Sequence, residues 1–383
     1  MSLPNDRRLW FACLLFIVFA FGIHPFAIHA CPAQTSQAED REHIESTIRR
    51  FMTEFDVPGL SIAMSKDGRL VLARGFGFAD KANETPMTAN HRFRIASVSK
   101  PITSIAIHTL IQEGKLKYDD KVFGPDSLLG DDFGQPDPSS SLDEITLEHL
   151  LTHTVGSWGN RRNDPMFLWP QLDHRELITW TIANQPLQVA PGSKYAYSNF
   201  GYCLAGRFIE KATGETYRDY VKRKIGDPIG ATSLEIAGNR LSDRLKDEVL
   251  YYGDGDENPY GFNASRLDAH GGWVASPTDL VRLALHYDGF SSPSDRLTSA
   301  VLEGMVSPSQ ANANYAKGWN VNRFNNWWHM GSLPGTGAIL VRASNGHCWA
   351  VLVNTRSKKE GFFSALDKLP WKILRGVKNW PAE

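Results

Sequence analysis

Two groups of predicted β-strands stand at opposite ends of the chain, and this arrangement constrains the fold more than any other feature. Near the N-terminus, residues 60–64 and 70–73 flank Asp67-Gly68, a dipeptide typical of a tight β-hairpin. Near the C-terminus, residues 338–342 and 349–354 have the apolar content of buried strands. We expect the two groups to share one antiparallel sheet, with the helical middle of the chain inserted between them.

Apolar side chains at helical spacing predict the remaining elements. Gly- and Asp-rich residues 117–143 and 251–272 are expected to form loops. The mixed α/β domain then covers residues 43–375, and a cleft between its two lobes is the natural place for a site. The sheet lobe takes in about 43–96 and 315–375, and the helical lobe about 97–314. The predicted helices are 43–55, 97–113, 146–152, 199–212, 279–287 and 362–377.

The N-terminus has the pattern of an export signal. Arg7 and Arg8 precede an apolar run over residues 9–23, and small residues follow up to Ala30. This predicts a signal peptide over residues 1–30, a linker over 31–42, and a periplasmic or secreted protein. Two alternatives stay open. The run can remain as a membrane anchor, although about 20 residues are needed to span a bilayer. Residues 28–31 also resemble a lipobox, which would attach lipid to Cys31.

Charge and cysteine content limit the partners. The chain has 41 Lys and Arg against 42 Asp and Glu, a balance that does not favour a nucleic-acid partner. We expect a small-molecule or peptide substrate; the sequence leaves the oligomeric state open. The cysteine spacings indicate no metal site, and we expect neither a metal nor a cofactor. Cys203 and Cys348 are interpreted either as a disulfide or as two buried thiols.

The first chemical motif is Ser97-Val98-Ser99-Lys100, at the start of a predicted helix. A spacing of three puts Ser97 and Lys100 on one helix face. Serine needs a nearby base to become nucleophilic, and a lysine whose pKa is lowered by burial and the helix dipole can serve. The backbone N–H of Ser97 is also a candidate oxyanion donor.

Two further motifs follow at long range. Tyr197-Ser198-Asn199 precedes a helix and can bring a phenol and an amide to one point. His329-Met330-Gly331-Ser332 precedes a predicted strand. There Gly331 permits close approach to the backbone, and the N–H of Ser332 is a second candidate oxyanion donor.

In this order the three motifs resemble those of the serine β-lactamase and penicillin-binding protein superfamily. The resemblance is to its class C-like branch, which includes esterases and D-peptidases, and it spans roughly residues 43–375. Further similarity lies at residues 93–96, 113–120, 145–156, 315–319 and 335–337. The resemblance implies a β-lactamase/transpeptidase-like fold, an antiparallel sheet flanked by helices with an inserted helical domain.

The resemblance also implies roles. Ser97 is then the acylated nucleophile, with Lys100 and Tyr197 in the proton network. Asn199, His329 and Gly331 would bind substrate. The backbone N–H groups of Ser97 and Ser332 would form the oxyanion hole.

One departure from the superfamily bears on the substrate. His329-Met330-Gly331 stands where class C β-lactamases have Lys-Thr-Gly, which favours an ester or a D-amino-acid amide or peptide over a β-lactam. Because histidine titrates near neutral pH, we expect the rate on a neutral ester to change across the titration of His329. The alternatives are a β-lactamase or DD-carboxypeptidase, and an inactive binding module of the same fold.

Two weaker interpretations complete the analysis. Trp158, Tyr260 and Trp273 are expected either to shape the pocket or to pack in the core. His149 and His153 stand at helical spacing and suggest a zinc hydrolase, but Leu150 replaces the glutamate of His-Glu-x-x-His.

Overall fold

The computed structural model describes residues 32–135, 137, 140–160 and 163–380. The predicted signal peptide and Cys31 lie outside these ranges, so export and membrane attachment remain predictions. Within the described ranges, no helix combines the length and the apolar character needed to cross a bilayer.

A seven-stranded antiparallel sheet forms the centre of the fold, and both ends of the chain contribute to it. Its strands are β1 (Gly59–Lys66), β2 (Arg69–Asp80), β3 (Thr85–Pro86), β7 (Asn320–Val321), β8 (Trp327–Leu333), β9 (Thr336–Arg342) and β10 (His347–Val353). A second sheet holds β4 (Phe93–Arg94), β5 (Glu235–Ile236) and β6 (Trp273–Ala275).

The order across the large sheet is β3-β2-β1-β10-β9-β8-β7. The first and last long strands are neighbours, from Leu60 opposite Val353 to Lys66 opposite His347. The prediction that N- and C-terminal strands share one antiparallel sheet is confirmed. The hairpin turn has positive φ at Asp67 (49°) and Gly68 (79°), as a tight two-residue turn requires.

Two helices cover one face of the sheet, α1 (Pro32–Glu54) and α11 (Phe362–Gly376). They bury apolar side chains such as Ile48 and Leu366 against that face. The linker expected over residues 31–42 is wrong for residues 32–42, because α1 already begins at Pro32. Asp40 helps to stabilise the first part of α1. Its buried carboxylate accepts the backbone N–H groups of Lys378 and Asn379, which links the helix to the C-terminal segment.

The helical middle of the chain packs on the other face. Its long central helix is α2, which is buried from Ser99 to Leu110. Gly114 follows α2 with φ of 71°, as the left-handed end of a helix favours. The helices of this side are α2 (Ser99–Gln112), α3 (Leu147–Leu151), α4 (Pro165–Leu168), α5 (His174–Asn184), α6 (Asn199–Thr213), α7 (Tyr217–Val221), α8 (Asp268–Gly271), α9 (Pro277–Leu285) and α10 (Ser299–Val306).

The two segments expected to form loops contain buried parts. Within residues 117–143, buried apolar side chains contact the core, among them Val122, Phe123 and Leu142. The loop expected over 251–272 ends in the short helix α8, whose four residues are all buried. Cys203 and Cys348 are both buried free thiols, so the disulfide interpretation is wrong.

Candidate active site

Ser97 lies where the two sides of the fold meet. The short strand β4 leads into a 3-10 turn, Ala96–Val98, which continues directly into α2. Ala96 has φ of 49°, a backbone conformation that is unfavourable for a residue with a Cβ. Ser97 is half-buried between the fully buried Ala96 and Val98. The turn therefore presents the Ser97 hydroxyl at the head of a buried helix.

Three groups surround the Lys100 amine. Its Nζ lies 3.2 Å from Ser97 Oγ, 2.8 Å from Asn199 Oδ1 and 2.9 Å from the His270 carbonyl oxygen. Two of these partners can only accept hydrogen bonds, whereas the serine hydroxyl can also donate. A neutral amine would give its two N–H groups to Asn199 and His270 and turn its lone pair toward Ser97. The geometry suits a base that takes the hydroxyl proton.

Burial also favours the neutral amine. Lys100 is completely inaccessible to solvent. Burial lowers its pKa well below the ordinary value, and the negative charge of Asp164 opposes this effect. A lysine in such a position is a candidate general base.

Tyr197 contacts both members of this pair. Its hydroxyl hydrogen-bonds the Ser97 side chain, and Lys100 Nζ lies 4.7 Å from its ring centroid. Burial raises the pKa of Tyr197. Tyr197 is therefore a neutral hydroxyl that orients Ser97 and can pass on a proton.

Asn199 faces the amine through its oxygen. Its Nδ2 group lies 3.1 Å from Asn160 Oδ1 and 3.2 Å from Asp164 Oδ2, so both amide hydrogens have acceptors. Donation from Asn199 to a bound substrate would require one of these acceptors to move away. Asn160 is the acceptor that can do so, because it is exposed whereas Asp164 is buried.

Strand β8 forms the opposite wall of the site. The motif at residues 329–332 is itself part of this strand, and does not merely precede one. A Cβ at Gly331 would lie 2.1 Å from Ile95 O and 3.1 Å from Ala96 Cβ. The absence of a side chain therefore lets the strand pack against the turn that carries Ser97, and does not primarily serve a substrate. This packing brings Ser332 close to that turn.

Side-chain alternation along β8 corrects the interpretation of Met330. His329 is buried toward the helical side, whereas Met330 packs with the cluster under α1 and α11. Successive strand residues point to opposite faces. Met330 therefore does not face the site, and its presence in place of the threonine of Lys-Thr-Gly has no bearing on the substrate.

His329 is a neutral part of the wall. Its Nδ1 lies 2.8 Å from the Met330 carbonyl oxygen and must carry the proton, so Nε2 accepts from the Tyr315 hydroxyl at 3.2 Å. Burial and the nearby Lys100 lower the pKa of His329 to about 3. The expected change in rate across a near-neutral titration of His329 is therefore not supported.

A cation lies at the exposed end of this wall. Arg356 Nη1 is 3.5 Å from Ser332 Oγ, and its guanidinium is paired with Glu257. Glu257 Oε2 in turn accepts the backbone N–H of Gly335 at 3.1 Å. The site thus has a positive group beside the predicted oxyanion donor, but Glu257 balances its charge.

The three aromatic residues proposed to shape the pocket are not assembled in it. Trp158 and Trp273 are fully buried. The Trp158 indole N–H donates to the Gln185 carbonyl oxygen, and that of Trp273 donates to the Tyr217 hydroxyl. Tyr260 packs beside Arg94, whose guanidinium carbon lies 5.2 Å from the centroid of the Tyr260 ring. Large rings with satisfied polar atoms support the core here, which is the second of the two expectations for these residues.

The two histidines of the zinc interpretation have other partners. His149 Nδ1 accepts the backbone N–H of Thr146, and His153 Nδ1 accepts that of Ser198. Helix α3 ends at Leu151, so the assumed helical spacing does not continue to His153. Across the described ranges, no three histidine, cysteine, aspartate or glutamate side chains are grouped to hold a metal ion.

Several residues of the site were missed by sequence reasoning, among them Asn160, Asp164, Glu257, His270 and Arg356. Asp164-Pro165 does carry a local signal, because an acidic residue before proline is typical of a helix start. Nothing in the sequence pattern indicates that its carboxylate also reaches Asn199.

The antiparallel sheet, the inserted helical side and the Ser97–Lys100 pair together define a serine hydrolase of the β-lactamase fold. The chain belongs to the Beta-lactamase family, whose model matches residues 44–367.

Similar proteins agree with this assignment. The chain is 25% identical over 366 residues to Penicillin-binding protein 4* of Bacillus subtilis (strain 168), covering 88% of this chain and 76% of that protein. It is also 25% identical to protein flp of Staphylococcus aureus (strain MRSA252), covering 84% of this chain but only 64% of that protein.

Solved structures share the fold. An octameric penicillin-binding protein homologue from Pyrococcus abyssi superimposes with a TM-score of 0.70 at 26% identity, covering 88% of this chain and 79% of that one. The D-amino acid amidase of Ochrobactrum anthropi SV3 superimposes with a TM-score of 0.71 at 22% identity, covering 89% of this chain and 99% of that one.

Proposed function

We propose that this protein is an exported serine hydrolase that acts through an acyl-enzyme on an ester or a D-amino-acid amide or peptide. The observation that carries the proposal is the Lys100 amine, buried without solvent contact and 3.2 Å from Ser97 Oγ. The family assignment supports the hydrolase class. Export depends on the N-terminal pattern alone.

The reaction follows from these contacts. Lys100 takes the proton of Ser97 while Oγ attacks the carbonyl carbon of the substrate. The bond from that carbon to the leaving oxygen or nitrogen then breaks, and the leaving group receives a proton through Lys100 or Tyr197. Water hydrolyses the Ser97 ester by the same sequence, which frees the acid and restores the serine. The N–H groups of Ser97 and Ser332 are the proposed donors to the oxyanion.

The neutral wall favours substrates without a carboxylate beside the reacting carbonyl. His329 is uncharged, and Glu257 pairs with Arg356. An ester or amide makes no demand for a free cation there. A β-lactam carboxylate would have to compete with Glu257 for Arg356.

The test compares acylation by three probes, namely p-nitrophenyl butyrate, D-phenylalanine amide and benzylpenicillin. The amide is included because a D-amino acid amidase shares the fold. Turnover of the ester or the amide by the wild type, lost by at least about 10³-fold in Ser97→Ala, is the expected result. The matched control is Ser193→Ala, since Ser193 is exposed and its hydroxyl donates to the local carbonyl oxygen of Ala190.

Two results would overturn the proposal. Wild-type activity in Ser97→Ala would refute the nucleophile. A long-lived adduct with benzylpenicillin, without turnover of the ester or amide, would replace the proposal with a penicillin-binding peptidase.

A further inference from the structure

We propose that Asp164 is a positioning residue of this site, which fixes the amide of Asn199 and supplies the buried countercharge to Lys100. The inference rests on the proposed function, because it concerns the proton acceptor of that reaction. Asp164 itself contacts neither Ser97 nor the expected place of a substrate.

The contacts of Asp164 exceed what a helix cap needs. Its Oδ1 accepts the backbone N–H of Met166 at 3.1 Å, which caps the four-residue helix α4. Its Oδ2 accepts two further hydrogen bonds, from the backbone N–H of Asn199 at 2.7 Å and from Asn199 Nδ2 at 3.2 Å. The backbone and the side chain of Asn199 therefore both donate to the same carboxylate oxygen.

This carboxylate decides which way the Asn199 amide points. An ionised carboxylate only accepts hydrogen bonds, so the amide must turn its Nδ2 group toward Asp164. Oδ1 then faces Lys100 Nζ, at 2.8 Å. With the amide reversed, two hydrogen-bond donors would face each other at Lys100. Asp164 thereby maintains the acceptor that holds the amine beside Ser97.

The same carboxylate is a buried negative charge near the amine. The other titratable groups facing Lys100 are His153, His270 and His329, whose pKa values burial lowers. They also include Tyr197 and Tyr202, whose pKa values burial raises. Those facing Asp164 are Lys100, Tyr197, Cys203 and the guanidinium of Arg266. Burial raises the pKa of Asp164 to about 6, so it is ionised above neutral pH and there favours the protonated form of Lys100.

Arg266 holds the segment that carries Asp164 in place. Its guanidinium donates to the carbonyl oxygens of Met166 at 2.6 Å, Trp169 at 2.7 Å and Leu172 at 2.7 Å. Three bonds from one buried side chain fix the segment from its far side. The position of Asp164 is thus set independently of Asn199, as a positioning residue requires.

The experiment measures the labelling of Ser97 by a fluorophosphonate probe, followed by intact mass from pH 5 to 9, in the full chain. Labelling reports the nucleophile without requiring the natural substrate. In Asp164→Asn we expect about a tenfold slower labelling at pH 9, because the amide loses its fixed orientation. We also expect the acid limb of the rate profile to move down by about one pH unit, because the charge that favours protonated Lys100 is gone.

Two variants separate positioning from folding. Asp279→Asn is the matched control, since Asp279 is also buried and accepts a backbone N–H, from Ser233 at 2.8 Å, away from Ser97 and Lys100. Asp279→Asn should lower the melting temperature but should not change the pH at which the labelling rate falls on the acid side of the profile. Asp164→Ser retains a capping oxygen but no charge, and it should reproduce the shift if Asp164→Asn folds poorly.

Each outcome decides one question. If the wild type is not labelled, the proposed function fails and the inference fails with it. If the wild type is labelled and the folded Asp164 variants keep its profile, the inference is overturned while the proposed function stands. If the Asp164 variants are labelled more slowly but the acid limb of the pH profile does not shift, the role of Asp164 as a countercharge to Lys100 is refuted.

Discussion

Lys100 and Lys317 are both buried on the helical side of the sheet, but their surroundings differ. Lys317 Nζ lies 3.1 Å from the Glu148 carboxylate, donates to the Ser307 carbonyl oxygen at 3.1 Å and sits over the Tyr118 ring. Lys100 Nζ contacts an amide oxygen, a carbonyl oxygen and a hydroxyl. Among the described residues, no carboxylate is in salt-bridge contact with it.

The difference shows how one residue type serves two purposes. A direct carboxylate partner compensates the desolvation of a buried ammonium and keeps it charged. Uncharged acceptors compensate it only in part, so the buried amine tends to lose its proton. Lys317 is therefore a structural cation, and Lys100 is suited to proton transfer. The predictions below test this contrast.

The largest expected effect comes from replacing each lysine by methionine. Lys100→Met should lower kcat/KM for p-nitrophenyl butyrate by about 10³-fold, because general-base assistance is lost. Lys317→Met should retain kcat/KM per folded molecule within about twofold. It should also melt at a lower temperature, since Glu148 and Ser307 lose their partner. Steady-state kinetics on protein quantified by active-site titration checks this.

Equal losses of activity in the two variants would show that Lys317 also acts in the chemistry. Retained activity in Lys100→Met would refute the assignment of the base. In either case the contrast between the two sites would disappear.

The second expected effect is on stability. Because the folded-state pKa of Lys100 is lowered, the unfolded chain binds more protons than the native protein below the ordinary lysine pKa. The wild type should therefore gain stability as pH rises toward about 10.4, the ordinary value. Lys100→Met removes the desolvated amine and should raise the free energy of unfolding at pH 7 by about 1–3 kcal/mol.

Urea denaturation of both proteins at pH 7 and 9.5 measures this difference. The advantage of Lys100→Met should be larger at pH 7 and shrink at pH 9.5. An advantage that grows with pH would mean that Lys100 is charged in the native protein.

The sequence predicts the parts of this fold that depend on short-range pattern. The hairpin at Asp67-Gly68 was predictable because both turn positions require positive φ, which that dipeptide tolerates. The Ser97–Lys100 pair was predictable because a spacing of three determines the face of a helix. Helix α5 was not anticipated, although Asp173 and Glu176 form a capping box at its start.

The features that the sequence left open or missed depend on contacts between distant segments. Trp158 and Trp273 satisfy their indole N–H groups with partners 27 and 56 residues away, which no local pattern indicates. Asp164 and Asn199 are separated by 35 residues and meet only in the folded chain. The face of β8 on which Met330 lies depends on the register with β9, where it opposes Ile339.

The smallest expected effect concerns His329. Its replacement compares an uncharged residue of the wall with Lys100, the buried base. With a pKa of about 3, His329 stays uncharged from pH 5 to 8. His329→Asn should therefore lower kcat/KM by about three- to tenfold, through lost packing and the lost bond to Tyr315, and by the same factor throughout that range. Tyr315→Phe is the matched control, because it removes the same hydrogen bond and leaves the imidazole.

The pH dependence of stability provides a second test of the protonation state of His329. Because the folded-state pKa of His329 lies below its unfolded value near 6.5, His329 makes the wild type lose stability as pH falls from there toward about 3. His329→Asn should lose less stability over that interval, measured by urea denaturation at pH 7 and 4.5. If the kinetic profile of the wild type instead bends near pH 6.5 and that of His329→Asn does not, the imidazole titrates in the native site. The wall would then carry charge at neutral pH, and the preference for substrates without a carboxylate would lose its physical basis.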